Sequence, residues 1–87
     1  MEKYKNKLRF RSWHRGTKEA DLFLGRFFDK YINKMSKKDL LYYEVFLNEL
    51  CDNDILFILK GQKSWPSNLP RKITKLLDEF INSENFR

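Results

Sequence analysis

Apolar positions recur at helical spacing through most of this chain. Phe23, Phe27 and Tyr31 lie four residues apart, and Leu24, Phe28 and Ile32 form an adjacent stripe. The two stripes predict a helix over 18–33 with a wide apolar arc, as a central helix of a small bundle needs. Glu19 and Asp21 near its start complement the helix dipole. Gly25 in its middle costs about 1 kcal/mol relative to Ala, and close approach of a neighbouring helix is one reason to keep it. Ser36 suits an N-cap, with Asp39 three residues on. Leu40, Tyr43, Leu47 and Leu50 then predict a helix over 37–51. Asp52-Asn53-Asp54 reads as a break that recaps a short helix over 53–60. Ile55, Leu56, Ile58 and Leu59 fill that helix, and Gly61 is placed to end it. Residues 61–70 hold two prolines and read as a loop. Pro70 fits a first helical position. Ile73, Leu76, Leu77, Phe80 and Ile81 stripe a last helix over 70–82. The tail from Ser83 is expected to fray.

The start of the chain is less decided by pattern. Residues 3–11 alternate Lys-x-Lys-x-Lys-x-Arg-x-Arg. On a strand every charge would share one face, opposite Tyr4, Asn6, Leu8 and Phe10. On a helix Tyr4 pairs with Leu8 and the cations spread over two sides. No second strand exists to pair with the first, so a helix over 3–14 is expected. The fold class is therefore all-α: a compact five-helix bundle, one domain over 1–87.

Composition supports a packed core. A chain of 87 residues buries only roughly 60–65% of its unfolded surface. Eight Phe, four Tyr and two Trp compensate, because each large ring buries much apolar area. The net charge is +6. Residues 1–18 carry seven basic side chains against Glu2 alone, while the remainder is balanced. The whole excess thus lies on the N-terminal segment. It suits an acidic partner (nucleic acid, anionic lipid or an acidic protein surface) or simply a solvated basic face.

Candidate chemistry is sparse. Cys51 is the single cysteine, so no intrachain disulfide forms, and a small buried hydrophobe is its expected role. One His and one Cys cannot build a zinc site. A His14–Cys51 nucleophile pair would need spatial contact that sequence does not show. No Gly-rich phosphate loop is present. Asp52 and Asp54 lack the later ligands of a calcium loop, and helix capping accounts for them better. No apolar run reaches membrane-spanning length and no secretory segment follows the start, which leaves a bacterial cytoplasm as the expected location and no membrane insertion. His14 reads either as a surface residue packed beside Trp13 or as part of a binding face with Arg15. Trp65 reads either as a plug at the bundle's edge or as an exposed anchor. Arg15, Gly16 and Glu19 read either as a plain helix corner or as a functional cluster. In the corner reading Gly16 takes left-handed geometry, Glu19 sits in the next helix's first turn and Arg15 is solvated.

The stretch Arg11-Ser12-Trp13-His14-Arg15-Gly16-Thr17-Lys18-Glu19-Ala20-Asp21, followed by Leu24-Gly25-Arg26-Phe27, resembles the succinate dehydrogenase assembly factors that promote covalent flavin attachment. Arg15, Gly16 and Glu19 match the family's Arg-Gly-x-x-Glu hallmark. The similarity spans roughly residues 5–60 and includes Leu47-x-Glu49-x-x-Asp52-x-Asp54, which resembles the family's acidic helix junction. One departure is visible: family members often carry Trp in the short fourth helix, where this chain has Ile55-Leu56-Phe57-Ile58-Leu59.

The resemblance implies a five-helix bundle that binds the flavoprotein subunit of succinate dehydrogenase and, in bacteria, sometimes that of fumarate reductase. It implies no turnover chemistry, no stably bound cofactor, and action on FAD attachment in the client, where a histidine attacks the flavin's 8α-methyl carbon. The expected partner-binding residues are Arg15, Gly16, Glu19, His14, Thr17, Arg11, Arg9 and Asp21. Gly16 would let two backbones approach. Arg15 would bond a carboxylate or carbonyl on the partner, and Glu19 would accept from the partner or hold Arg15. Arg9 and Arg11 would steer the encounter. The chain is expected to act as a monomer. The alternative is a small basic helical nucleic-acid binder, which lacks a clear recognition helix with base-reading Asn or Gln.

Overall fold

The computed structural model describes residues 2–84. Among these, five α-helices and one 3-10 turn carry the fold: α1 (Glu2–Trp13), α2 (Lys18–Tyr31), the 3-10 turn Ile32–Lys34, α3 (Lys37–Glu49), α4 (Asp52–Leu59) and α5 (Arg71–Glu84). The pattern of residues 3–11 resolves as helix. The segment expected as one helix over 18–33 tightens into 3-10 geometry at Ile32. Ser83 and Glu84 are helical, and the rest of the tail expected to fray lies outside the described residues.

α2 is the central element. Phe23, Leu24, Phe27 and Phe28 are fully buried, and Tyr31 nearly so. Phe80 of α5 packs on Phe23 at 5.6 Å and edge-on to Phe27 at 5.9 Å, while Tyr43 of α3 stacks on Phe28 at 5.4 Å. Rings in such tilted and edge-on pairs gain beyond their area burial. Trp65 joins this cluster from the loop. It lies 6.2 Å from Phe23 and 6.0 Å from Phe46, and its indole N–H donates to Asp78 at 2.9 Å. It is the plug at the bundle's edge, with its polar atom satisfied.

Gly25 has a packing reason. A Cβ there would lie 2.1 Å from the Trp13 ring, a distance no real contact tolerates. The glycine is the notch that lets α1 lie against α2, and Trp13 Nε1 then donates to Asp29 at 3.1 Å.

The helix ends follow local chemistry. Ser36 caps α3 in a reciprocal box with Asp39: Asp39 N donates to Ser36 Oγ at 3.2 Å, and Ser36 N donates to Asp39 Oδ2 at 2.9 Å. Gly61 N donates to Ile58 O and Gln62 N to Phe57 O, both at 2.9 Å, the double bond that closes α4. Pro70 sits one position before its expected place, as the residue whose carbonyl accepts from Ile73 and Thr74. Cys51 departs from expectation: it is exposed. α3 ends at Glu49, and Cys51 is the extended residue before α4 rather than a continuation of the Leu40–Leu50 stripe.

Candidate functional site

Four residues turn the chain from α1 to α2. Gly16 makes the turn with φ +121°, a backbone region that side chains with a Cβ resist. Thr17 is the N-cap of α2, and its Oγ1 accepts from Ala20 N at 3.3 Å. Asp21, one turn into α2, reaches back with Oδ1 and accepts from the backbone N–H of both Arg15 and Gly16. A carboxylate that gathers consecutive backbone donors makes charge-assisted bonds and stiffens the turn. Thr17 and Asp21, expected on a partner-binding face, therefore have structural work within the chain.

Arg15 points inward. Its Nε donates to Asp52 Oδ1 at 3.3 Å, Nη1 to Leu47 O at 2.6 Å and Nη2 to Leu50 O. Its side chain is only 13% exposed. The two carbonyls belong to the C-terminal end of α3, where they lack helical partners and the dipole is negative. The carboxylate belongs to the first residue of α4. One planar guanidinium thus closes the α3–α4 elbow and ties it to the α1–α2 turn. The carboxylate and carbonyl acceptors expected on a partner lie in the chain itself. This corrects the solvated Arg15 of the plain-corner reading. Asp52 also borders the neighbouring residue, since a Cβ added at position 16 would lie 3.2 Å from its Oδ2.

Glu19 is exposed in the first turn of α2, and its side chain makes no hydrogen bond or ion pair among the described residues. It does not hold Arg15; Asp52 does. His14 is exposed, stacks on Phe10 at 4.0 Å, and its Nδ1–H donates to Phe10 O at 2.7 Å. Because the acceptor is a carbonyl, the proton sits on Nδ1. His14 packs with Phe10 rather than with Arg15. Trp13, His14, Gly16, Thr17, Lys18, Asp21 and Leu22 line a shallow open depression at this corner. Arg9 bonds Asp29 at 3.0 Å and Asn6 at 2.9 Å and lies over the Phe28 ring. Arg11 bonds Asn48 and pairs with Glu44 at 3.8 Å. The structure therefore brings His14, Gly16 and Thr17 to one depression, leaves Glu19 exposed in the first turn of α2, and gives Arg15, Asp21, Arg9 and Arg11 intramolecular partners.

Behind the corner the packing is tight. Ser12 Oγ donates to Leu8 O at 2.8 Å and meets the Tyr43 hydroxyl at 2.6 Å. Burial raises the Tyr43 pKa, opposed by the Ser12 bond and the Arg15 charge, so it stays a neutral donor. Tyr4 is likewise pushed up to about 12 by burial and by Glu44, which accepts its O–H at 2.8 Å. Asp52 is the functional candidate that sequence reading left out of the site. Its place in the acidic junction was visible, but no spacing rule connects residue 52 to residue 15. Among the described residues no group of three His, Cys, Asp or Glu is placed to hold a metal. The corner can present a carboxylate, a close backbone and apolar edges to a partner.

The family model described as flavinator of succinate dehydrogenase matches residues 6–81. The chain belongs to this family. It is 33% identical over 82 residues to the mitochondrial succinate dehydrogenase assembly factor 2 of Schizosaccharomyces japonicus, covering 93% of this chain and 57% of that protein. It is 40% identical over 91 residues to that of Saccharomyces cerevisiae, covering 98% and 53%. With that of Caenorhabditis briggsae the identity is 30% over 79 residues, covering 84% and 65%. The chain thus spans little more than half the length of the two fungal relatives. No solved structure matches it significantly. The relatives are named mitochondrial, which overturns the expected bacterial cytoplasm. That expectation rested on missing apolar segments, and these do not tell one aqueous compartment from another.

Proposed function

We propose that this chain is a mitochondrial assembly factor that binds the flavoprotein subunit of succinate dehydrogenase and promotes covalent attachment of FAD there. The observation that carries the reading is the Arg15-Gly16-x-x-Glu19 corner. An unpaired Glu19 and a side-chain-free Gly16 stand on the surface, backed by a clamped Arg15. In this reading the client supplies the flavin and the histidine that joins it. The chain supplies no group to the new bond. Its contribution is to hold the client with flavin and histidine in near-attack geometry, and then to leave. Glu19 accepts from a donor on the client, and Gly16, whose missing Cβ makes room for Asp52 Oδ2, leaves the backbone of the turn exposed to the client.

The nucleic-acid alternative loses ground on geometry. Lys7, Arg9, Arg11 and Arg15 are all paired with acidic side chains of α2, α3 or α4, which a phosphate backbone would have to displace.

The test is complementation in a strain lacking its own assembly factor. Covalent flavin on the dehydrogenase flavoprotein is read by fluorescence on a denaturing gel. The wild-type chain should restore it, and Glu19→Ala should not, while keeping its helical melt. Restoration by Glu19→Ala as well would remove Glu19 from the site. No restoration by soluble, folded wild-type chain would defeat the reading.

A further inference from the structure

We propose that Asp52 is a positioning residue for client binding. Through Arg15 and Gly16 it sets the place of the α1–α2 turn on the α3–α4 elbow. This rests on the functional reading above and adds a residue to it. Asp52 Oδ1 accepts from Arg15 Nε at 3.3 Å. Its Oδ2 faces Gly16, 3.2 Å from where a Cβ would stand. One carboxylate oxygen bonds Arg15, a charge-assisted contact that pulls on the turn. The other lies where a Cβ at position 16 would crowd it, so the glycine is what gives the carboxylate room beside the turn.

Nη1 and Nη2 of Arg15 donate to Leu47 O and Leu50 O. These bonds fix the guanidinium to the end of α3, so Asp52 meets a cation that is already anchored. Asp21 holds the same turn from the α2 side through the N–H groups of Arg15 and Gly16. The turn is suspended between two carboxylates, Asp21 on α2 and Asp52 on α4. Removing the Asp52 charge leaves the turn tied to the elbow only by the bonds of Arg15 to the Leu47 and Leu50 carbonyls. The surface on which a client backbone would rest then shifts relative to Glu19.

The side chain of Asp52 is only 23% exposed, and its oxygens serve the chain itself, which separates its role from that of Glu19. A positioning role makes a specific demand on double variants. Asp52 acts through the turn at Gly16, so a turn already displaced by Gly16→Ala has nothing further to lose. A residue touching the client directly would lose its contact whatever the state of the turn.

The experiment measures binding of purified flavoprotein subunit to the wild-type chain, Asp52→Asn, Gly16→Ala and the double variant, at a temperature where each is shown folded by its helical melt. Asp52→Asn keeps the side chain's size and removes its charge, so it serves even where Asp52→Ala fails to fold. Asp52→Asn is expected to weaken binding about tenfold per folded molecule, and by less than about twofold in the Gly16→Ala background. Unchanged binding by Asp52→Asn, with wild-type binding intact, overturns the positioning role and leaves the functional reading standing. Losses that multiply in the double variant also overturn it, because Asp52 would then touch the client. If the wild-type chain does not bind the flavoprotein, the functional reading falls and the proposal with it.

Discussion

Gly16 is confined to glycine by two separate costs. The first is backbone strain, because φ is +121°. The second is the 3.2 Å approach of a new Cβ to Asp52 Oδ2. Gly61 provides an internal control: its φ is +77°, and a Cβ there would meet nothing within 4 Å. Gly61→Ala should therefore cost only the left-handed backbone penalty, about 1–2 kcal/mol. Gly16→Ala should cost more, about 2–3 kcal/mol, from strain together with crowding. Denaturant unfolding of the two variants checks the order, and flavinylation should fall only in Gly16→Ala. Equal destabilisation would mean that Asp52 gives way freely to the added Cβ and that the crowding costs nothing. The same residues show where sequence reading reached its limit. The positive φ at Gly16 was legible from a glycine between two helical patterns. Arg15 was legible as important but not in direction, because its acceptors at residues 47, 50 and 52 are brought near only by tertiary packing.

At the scale of helices, the stripes of α2, α3 and α5 were readable because 3.6-residue periodicity is a local signal. Leu40, Tyr43, Leu47 and Leu50 are all buried, as their spacing requires. Cys51 was misread because the stripe was extended past the point where the helix ends. The α1–α2 contact depends on the Trp13 ring in the Gly25 notch. Gly25→Ala should improve α2 propensity by about 1 kcal/mol yet destabilise the protein by about 1–3 kcal/mol through overpacking. Pairing it with Trp13→Ala should recover part of that loss, and a four-variant melting cycle measures the coupling. Additive losses would show that the ring is not seated in the notch.

The start of α3 makes a second prediction. Burial opposes ionisation of Asp39, but bonds from Lys72 at 2.6 Å and from Ser36 outweigh it and hold the carboxyl below its ordinary value. A folded pKa below the unfolded one stabilises the fold above the unfolded pKa, near 3.9, and that gain is lost as pH falls through the folded value. Asp39→Asn should therefore lower the melting temperature at pH 7, and the gap to wild type should close below about pH 4. A gap that persists at low pH would make the capping geometry, not the charge, the source of stability.

For the whole molecule, the decisive quantity is which charges remain free. Sequence located the entire +6 excess in residues 1–18, but it could not show that much of it is paired. Arg9 pairs with Asp29 and Arg15 with Asp52, while Lys7 and Arg11 share the one carboxylate of Glu44, so four cations meet three acidic groups. Such pairs are short dipoles whose fields largely cancel beyond the Debye length, about 8 Å at physiological salt. Lys3, Lys5 and Lys18 make no ion pair among the described residues and lie outside the Arg15 clamp. Long-range attraction to an acidic client should therefore depend on these three more than on Arg9 or Arg11, the pair singled out for steering by position alone. Replacing Lys3, Lys5 and Lys18 together by Gln should slow association with the flavoprotein about tenfold at low salt and leave dissociation unchanged. The difference should fade near 1 M salt, where the screening length is about 3 Å. Stopped-flow association at several salt concentrations makes the measurement. A change confined to dissociation would place these lysines inside the interface, and the steering role would pass back to the net charge of the molecule as a whole.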